Sequence, residues 1–199
     1  LKKDVKLLDQ LKQRCAWVND DPLYIAYHDE EWGRPLVEDQ KLFELLMLEG
    51  MQAGLSWYTI LKKRERYREV FDQFDPVKIA AYGEDKVEQL LQDAGIIRNR
   101  LKVRAIIHNA SIYQQIERNE GSFSSFLWSF VDGKPIINHW TIKSEVPANT
   151  LISDQMSTVL KKKGMKFVGS TICYAFMQAS GMINDHTLDC FCRNEQTHV

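Results

Sequence analysis

The stretch NDHTLDCFC (184–192) sets His186 and Cys190 four positions apart, the spacing that one helical turn brings to a common face. An imidazole and a thiolate so placed can share a metal ion, although the same pair also arises by chance on an ordinary helix face. Two further ligand types, Cys15 and His28, lie near the other end of the chain. Together the four make a two-cysteine, two-histidine set, an ordinary complement for tetrahedral zinc. Four protein ligands leave no open position for an activated water, so one such ion would be structural, joining the N-terminal segment to the C-terminal one. Spacing does not establish that the two pairs meet, and Cys192 rivals Cys190. The four cysteines could instead form two disulfides, but free, buried or metal-bound thiols suit a reducing cytosol better.

A second candidate is a carboxylate in an apolar stripe. In KLFELLMLEGMQAGLSW (41–57), winding a helix at about 100° per residue puts Leu42, Leu45 and Leu46 on one stripe with Glu49, while Glu44 points well away. Glu49 is therefore expected to be buried or to line a cavity. A structural ion pair and a ligand-facing acid are both open readings of such a group. Trp17, Tyr24, Tyr27, Trp32 and Trp57 flank this helix in sequence. Aromatic faces and an acid together describe a pocket for a flat, electron-poor or cationic ring.

The third is KKKGMKFVGSTICYAFMQASG (161–181), where a lysine-rich helix end breaks at Gly164 and a new apolar-periodic helix opens at Ser170 after Gly169. Backbone amides at the start of the second helix, with neighbouring lysines, could hold a phosphate. A glycine-capped turn of no further function is the plainer reading.

These residues need a scaffold, and the pattern predicts helices almost throughout. Apolar positions recur at three and four in Val87, Leu90 and Leu91, in Phe123, Phe126, Leu127 and Phe130, and in Ile172, Ala175, Phe176 and Ala179. No strand alternation competes. Turn signals at WGRP (32–35), FDPV (74–77), DAG (93–95) and VDGKP (131–135) divide the helices, and only residues 132–152 read as a long irregular connection. The expectation is an all-α globule, with residues 1–14 a short amphipathic helical extension and 15–199 a single domain whose helical hairpin spans about 158–181. At 199 residues and 44% hydrophobic content, one core suffices. No apolar run reaches membrane-span length, and LKKDVKLLDQLKQ lacks a signal peptide's apolar centre, so a cytoplasmic protein without membrane contact is expected. A net charge of −1 argues against a broadly basic nucleic-acid coat. Local basic runs at 61–68, 97–104 and 160–166 each read as solvated helix faces when taken alone.

Several long blocks then carry a resemblance. RCAWVNDDPLYIAYHDEEWGRP, LFELLMLEGMQAGLSW, LKKRERYREVFDQFDPVKIA, DAGIIRNRLKVRAII, FLWSFVDGKP and KKKGMKFVGSTICYAFMQASGMINDHTLDC resemble, in order and spacing, the 3-methyladenine DNA glycosylase I family of the helix-hairpin-helix superfamily. The likeness runs from Cys15 to Cys190. It implies hydrolysis of the bond joining N3-methyladenine to deoxyribose in alkylated duplex DNA by base flipping, leaving an abasic site and releasing free 3-methyladenine.

The resemblance also assigns residues. It places zinc ligands on Cys15, His28, His186 and Cys190, hydrogen-bonding base contacts on Tyr27 and Glu49, a stacking face on Trp57, and a pocket wall on Trp17. The hairpin at 164–170, with Gly164, Lys166, Gly169 and Ser170, would grip backbone phosphates. Leu55 is the apolar residue chosen to fill the gap left in the duplex. Glu49 is the candidate catalytic group. Asp185 and Asp189, beside presumed metal ligands, are not assigned to catalysis, and no lysine nucleophile follows the hairpin, so hydrolysis without lyase activity by a monomer is expected. The rivals are a noncatalytic, zinc-stabilised DNA-binding module and a glycosylase for another damaged base. An acid buried among aromatics is what a pure phosphate binder would not need.

Overall fold

The structure, a computed structural model, describes residues 12–196. Most of the expected N-terminal helical extension, residues 1–11, lies outside the described residues. Helix α1 (Pro22–Glu30) starts where Asp21 accepts a hydrogen bond from the Leu23 amide at 2.9 Å and Pro22 presets the first helical turn. Helix α2 (Asp39–Gln52) follows, then α3 (Trp57–Leu61), α4 (Arg64–Val70), α5 (Pro76–Ala80), α6 (Glu84–Gln92), α7 (Arg100–Glu120) and α8 (Phe123–Trp128). After an irregular passage, α9 (Leu151–Lys162) and α10 (Ser170–Ala179) form the helical pair read from the sequence. The expected turns at 32–35 and 93–95 fall between elements, while FDPV (74–77) runs into α5, whose first residue is Pro76.

α2 is the central helix. Leu42, Phe43, Leu46, Met47, Leu48 and Met51 are all nearly inaccessible, so no side of its middle faces water. This bears on Glu44. Turned away from the stripe of Glu49, it is nevertheless buried and paired with Arg68 of α4 at 2.8 Å. A wheel that assigns one stripe to the core presupposes a solvent side, and beyond Gln40 and Lys41 in its first turn α2 is covered almost all round, with Leu45 partly buried.

The all-α expectation also needs amendment. Residues 136–137 form a short strand, β1 (Ile136–Ile137), paired in parallel with β2 (Ile183–Asn184), with Ile136 opposite Ile183. Two-residue strands leave no alternation for a sequence pattern to register. The connection is therefore pinned beside the C-terminal segment rather than irregular throughout, and α9 begins at Leu151, inside the expected loop.

α10 packs on both α9 and α2, while α7 runs beside α5, α6 and α8. The turn between α9 and α10 touches α2 closely. A β-carbon on Gly50 would lie 3.3 Å from the Phe167 side chain and from its carbonyl oxygen, so a residue without one lets the two backbones meet. No helix among the described residues is long and apolar enough to cross a membrane.

Candidate functional site

α1 projects Tyr24 and Tyr27, three positions apart, from one face, and Ser56 caps α3 so that Trp57 opens that helix opposite them. Tyr27 and Trp57 have ring centres 5.4 Å apart, and Tyr24 lies nearly parallel to Tyr27 at 6.4 Å. With Trp17 they wall a cavity of about 380 Å³ whose inner surface includes Glu49 and Gln52 of α2. α10 and the 132–152 connection close the other side through Gln178, Lys143 and Val146.

Two buried polar groups in this cavity have no hydrogen-bond partner among the described residues: Oε2 of Glu49 and Nε1 of Trp57. Buried polar atoms are ordinarily satisfied, so an orphaned acceptor and an orphaned donor in one cavity outline a ligand that offers both a donor and an acceptor. Glu49 is 2% exposed, and desolvation alone pushes its carboxyl up to about 8. The structural ion pair left open by the sequence is thus not formed. Burial, helped by the Glu49 charge, also raises the phenols of Tyr24 and Tyr27, which keeps both as neutral hydrogen-bonding groups.

Directly behind the aromatic wall, Trp17 meets the rings of His28 and Trp32 edge-on at 5.2 and 5.0 Å. Here the two ends of the domain meet. Cys15, His28, His186 and Cys190 are all buried, and their donor atoms lie within 4.8 Å of one another. His186 Nδ1 is 3.4 Å from Cys15 Sγ and 3.3 Å from Cys190 Sγ, and His28 Nε2 is 3.4 Å from Cys190 Sγ. Tetrahedral bonds of ordinary zinc length require edges of about 3.3–3.8 Å, so the donor set fits. The outward ring nitrogens are occupied too: His28 Nδ1 faces Asp29 Oδ1 at 2.7 Å, and His186 Nε2 faces the Trp32 carbonyl at 3.2 Å. These partners turn the opposite ring nitrogens toward the thiols, and Arg14 grips Asp29 with two nitrogens. No disulfide joins any of the four cysteines. Cys192 is buried beside His28 but sits on its Nδ1 side at 3.9 Å, so Cys190 takes the place in the four-membered cluster. The cluster can hold a metal ion.

The third group sits at the edge of α2. Leu55 is 42% exposed in the turn between α2 and α3. Gly164 takes φ +103°, its carbonyl accepts from His108 Nε2 at 3.0 Å, and Lys166 is exposed. α10 starts at Gly169 without a side-chain cap, which leaves its first amides available to an anion. Ser170 is less free than its position implied, because its hydroxyl bonds Asp154 and Ser153. Of the basic runs, Arg64, Arg66, Arg68, Arg100 and Arg104 are spent on nearby carboxylates, whereas Lys161, Lys162 and Lys166 stand exposed at the turn.

Some residues of the site were not singled out from the sequence. Gln52 follows Glu49 by three positions on one helix face, a spacing that could have found it. Asp185 could not have been placed so. Its carboxylate accepts from Asn138, Trp140, Tyr174 and Gln178 at 2.6–2.7 Å, partners drawn from separate segments. With both oxygens doubly occupied, Asp185 braces the cavity edge, while Asp189 is exposed.

A family model described as methyladenine glycosylase matches residues 17–193. The DNA-3-methyladenine glycosylase 1 of Escherichia coli (strain K12) is 59% identical over 180 residues, covering 90% of this chain and 96% of its own. A crystal structure of a 3-methyladenine DNA glycosylase I superposes with a TM-score of 0.89 at 57% identity, covering 91% of this chain and 100% of the other. A tyrosine-to-phenylalanine variant of such an enzyme, in complex with 3-methyladenine, superposes at 0.88 with 40% identity, covering 90% and 97%. A match across nearly the whole domain, on the fold and cavity described above, leaves one assignment: the chain belongs to the methyladenine glycosylase family.

Proposed function

We infer that this protein is a DNA-3-methyladenine glycosylase that cleaves the N-glycosidic bond of N3-methyladenine in duplex DNA, leaving an abasic site. The observation that carries the residue-level reading is Glu49, a carboxylate buried without a cation in an aromatic cavity. A ring-methylated adenine still attached to its sugar is cationic. It leaves as a neutral base without first being protonated, so little acid catalysis is needed. Water adds to the sugar carbon as the bond to the base breaks, and one proton is released. The protein's task is to extrude the lesion, at a cost of a few kcal/mol of unstacking, and to prefer a cation over neutral adenine.

Trp57 would then stack on the ring and the Tyr27 hydroxyl would hydrogen-bond to it, with Trp17 lining the pocket and the Glu49 carboxylate accepting from the base while matching its charge. Leu55 would fill the vacated space in the duplex, and the helix-hairpin-helix element at Gly164, Lys166, Gly169 and Ser170 would hold phosphates. Zinc is the metal that suits Cys15, His28, His186 and Cys190. With no open coordination position it would supply stability to the wall behind Trp17 and take no part in bond cleavage. The partners are alkylated DNA and the free base, in the cytoplasm.

The decisive experiment is base release from methylated duplex DNA without added metal, with the freed bases identified. N3-methyladenine with little other product is expected, and no release by folded, metal-loaded protein would overturn the reading. Trp57→Ala is expected to weaken binding of free 3-methyladenine by about 1–3 kcal/mol, measured by calorimetric titration. An unchanged affinity would remove Trp57 from the pocket.

Acidity supplies a further expectation. In the free protein Glu49 carries its proton through neutral pH, because burial holds its carboxyl at about 8. The ionised form complements a cation, so kcat/KM should rise with pH along a limb centred near that value and level off above it. Glu49→Gln should lack the limb.

A further inference from the structure

Lys102 is a buried ammonium that the reaction outlined above does not use. It lies in the first turn of α7, is 6% exposed, and has no carboxylate within ion-pairing distance among the described residues. Its Nζ donates instead to two backbone carbonyls, Met51 O at 2.8 Å and Ala53 O at 2.7 Å. These oxygens belong to the end of α2, where the last carbonyls have no helical partner and the helix dipole is negative. Burying a cation against neutral partners is a costly way to fill space, and desolvation accordingly lowers the pKa of this lysine.

The turn that Lys102 reaches has little else beneath it. Gly54, Leu55 and Ser56 are exposed, Gly54 takes φ +80°, and a β-carbon on Gly54 would meet nothing within 4 Å. Within the turn the Leu55 amide bonds Gln52 O at 2.6 Å, and Ser56 caps α3. Both bonds join the turn only to the helices it connects, α2 and α3, whereas Lys102 links the end of α2 and the start of the turn to α7 through Met51 O and Ala53 O.

We propose that Lys102 is a positioning residue for DNA engagement, its ammonium stapling the turn 53–56 to α7 so that Leu55 is presented to the duplex at a fixed height. The assignment rests on the reading of Leu55 as the residue that enters the duplex. Once the lesion has been extruded the turn must bear the load of the unpaired strand, and a turn anchored through one side chain loses its register when that side chain is shortened or neutralised. The cavity itself is walled by α1, α2 and α3 and does not include Lys102, so recognition of the free base should be nearly independent of it.

The test is a double-mutant cycle of Lys102→Met and Leu55→Ala, read by single-turnover excision from duplex DNA and by affinity for free 3-methyladenine. Lys102→Met should slow excision by about tenfold or more, the scale of losing two charge-assisted bonds, and change free-base affinity by less than about threefold. Combined with Leu55→Ala it should add little further loss. Independent, multiplying losses would overturn the proposal, as would a parallel fall in free-base affinity. Excision untouched by Leu55→Ala alone would refute the reading of Leu55, and a Lys102→Met defect that persists beside it would refute the action through that residue. If Lys102→Met does not fold, Lys102→Gln, which keeps one donating group, carries the same cycle, and Lys102→Arg should recover part of the rate.

Discussion

Glu49→Gln is expected to lower single-turnover excision of N3-methyladenine by about 10²- to 10³-fold while leaving the fold intact. The amide preserves shape and volume but removes the charge that opposes a cationic ring. Breaking a buried ion pair costs about 3–5 kcal/mol, and each 1.36 kcal/mol is a decade in rate. Stability should move differently. The Glu49 carboxyl is raised from 4.5 to about 8 in the folded protein, so the favourable contribution of its proton is fully present below 4.5 and is lost as pH rises through about 8. The unliganded wild type should therefore show a Tm that declines across that window, and Glu49→Gln a flatter profile, since the amide has no charge to desolvate. Excision at the wild-type rate by a folded Glu49→Gln protein would sink the proposed role.

The largest stability effect is expected at the Cys/His cluster. Structural zinc in small peptides is worth about 10–16 kcal/mol. If a third of that is realised here, chelation or Cys15→Ser should lower Tm by roughly 10–20 °C, at about 2–4 °C per kcal/mol for a domain of this size. Excision measured well below the reduced Tm should fall far less than in Glu49→Gln, because only Cys15 of the four reaches the cavity lining. Scanning calorimetry with metal analysis checks both halves, and native protein found to carry no zinc would reject the assignment.

How far these features were legible in the sequence depended on the range of the interactions behind them. Burial of Glu49 is local, a matter of one helical period, and it could be read directly. Glu44 could not, because whether a helix has a wet side is decided by the elements around it, here including α4 and its Arg68. The break at Gly164 and the restart at Ser170 follow from backbone preferences of single residues. What holds the turn between them does not: Asn109 of α7 donates to Lys166 O at 2.9 Å and accepts from the Lys166 amide at 2.8 Å, across 57 positions. The same division applies to the Cys/His cluster. Each pair was visible by type, but their meeting depends on every helix in between. β1 and β2 were invisible for a simpler reason, being too short to carry a pattern.

The clasp between the two ends also orders events in time. Cys15 and His186 are 171 positions apart, so at about 5–20 residues per second the first ligands exist for roughly 10–30 s before the last are made. Through that interval a thiol and an imidazole destined for one site stand without their partners, open to oxidation or to a borrowed ion. Chain order thus sets the order of assembly, and closure of the cluster belongs among the last steps of folding.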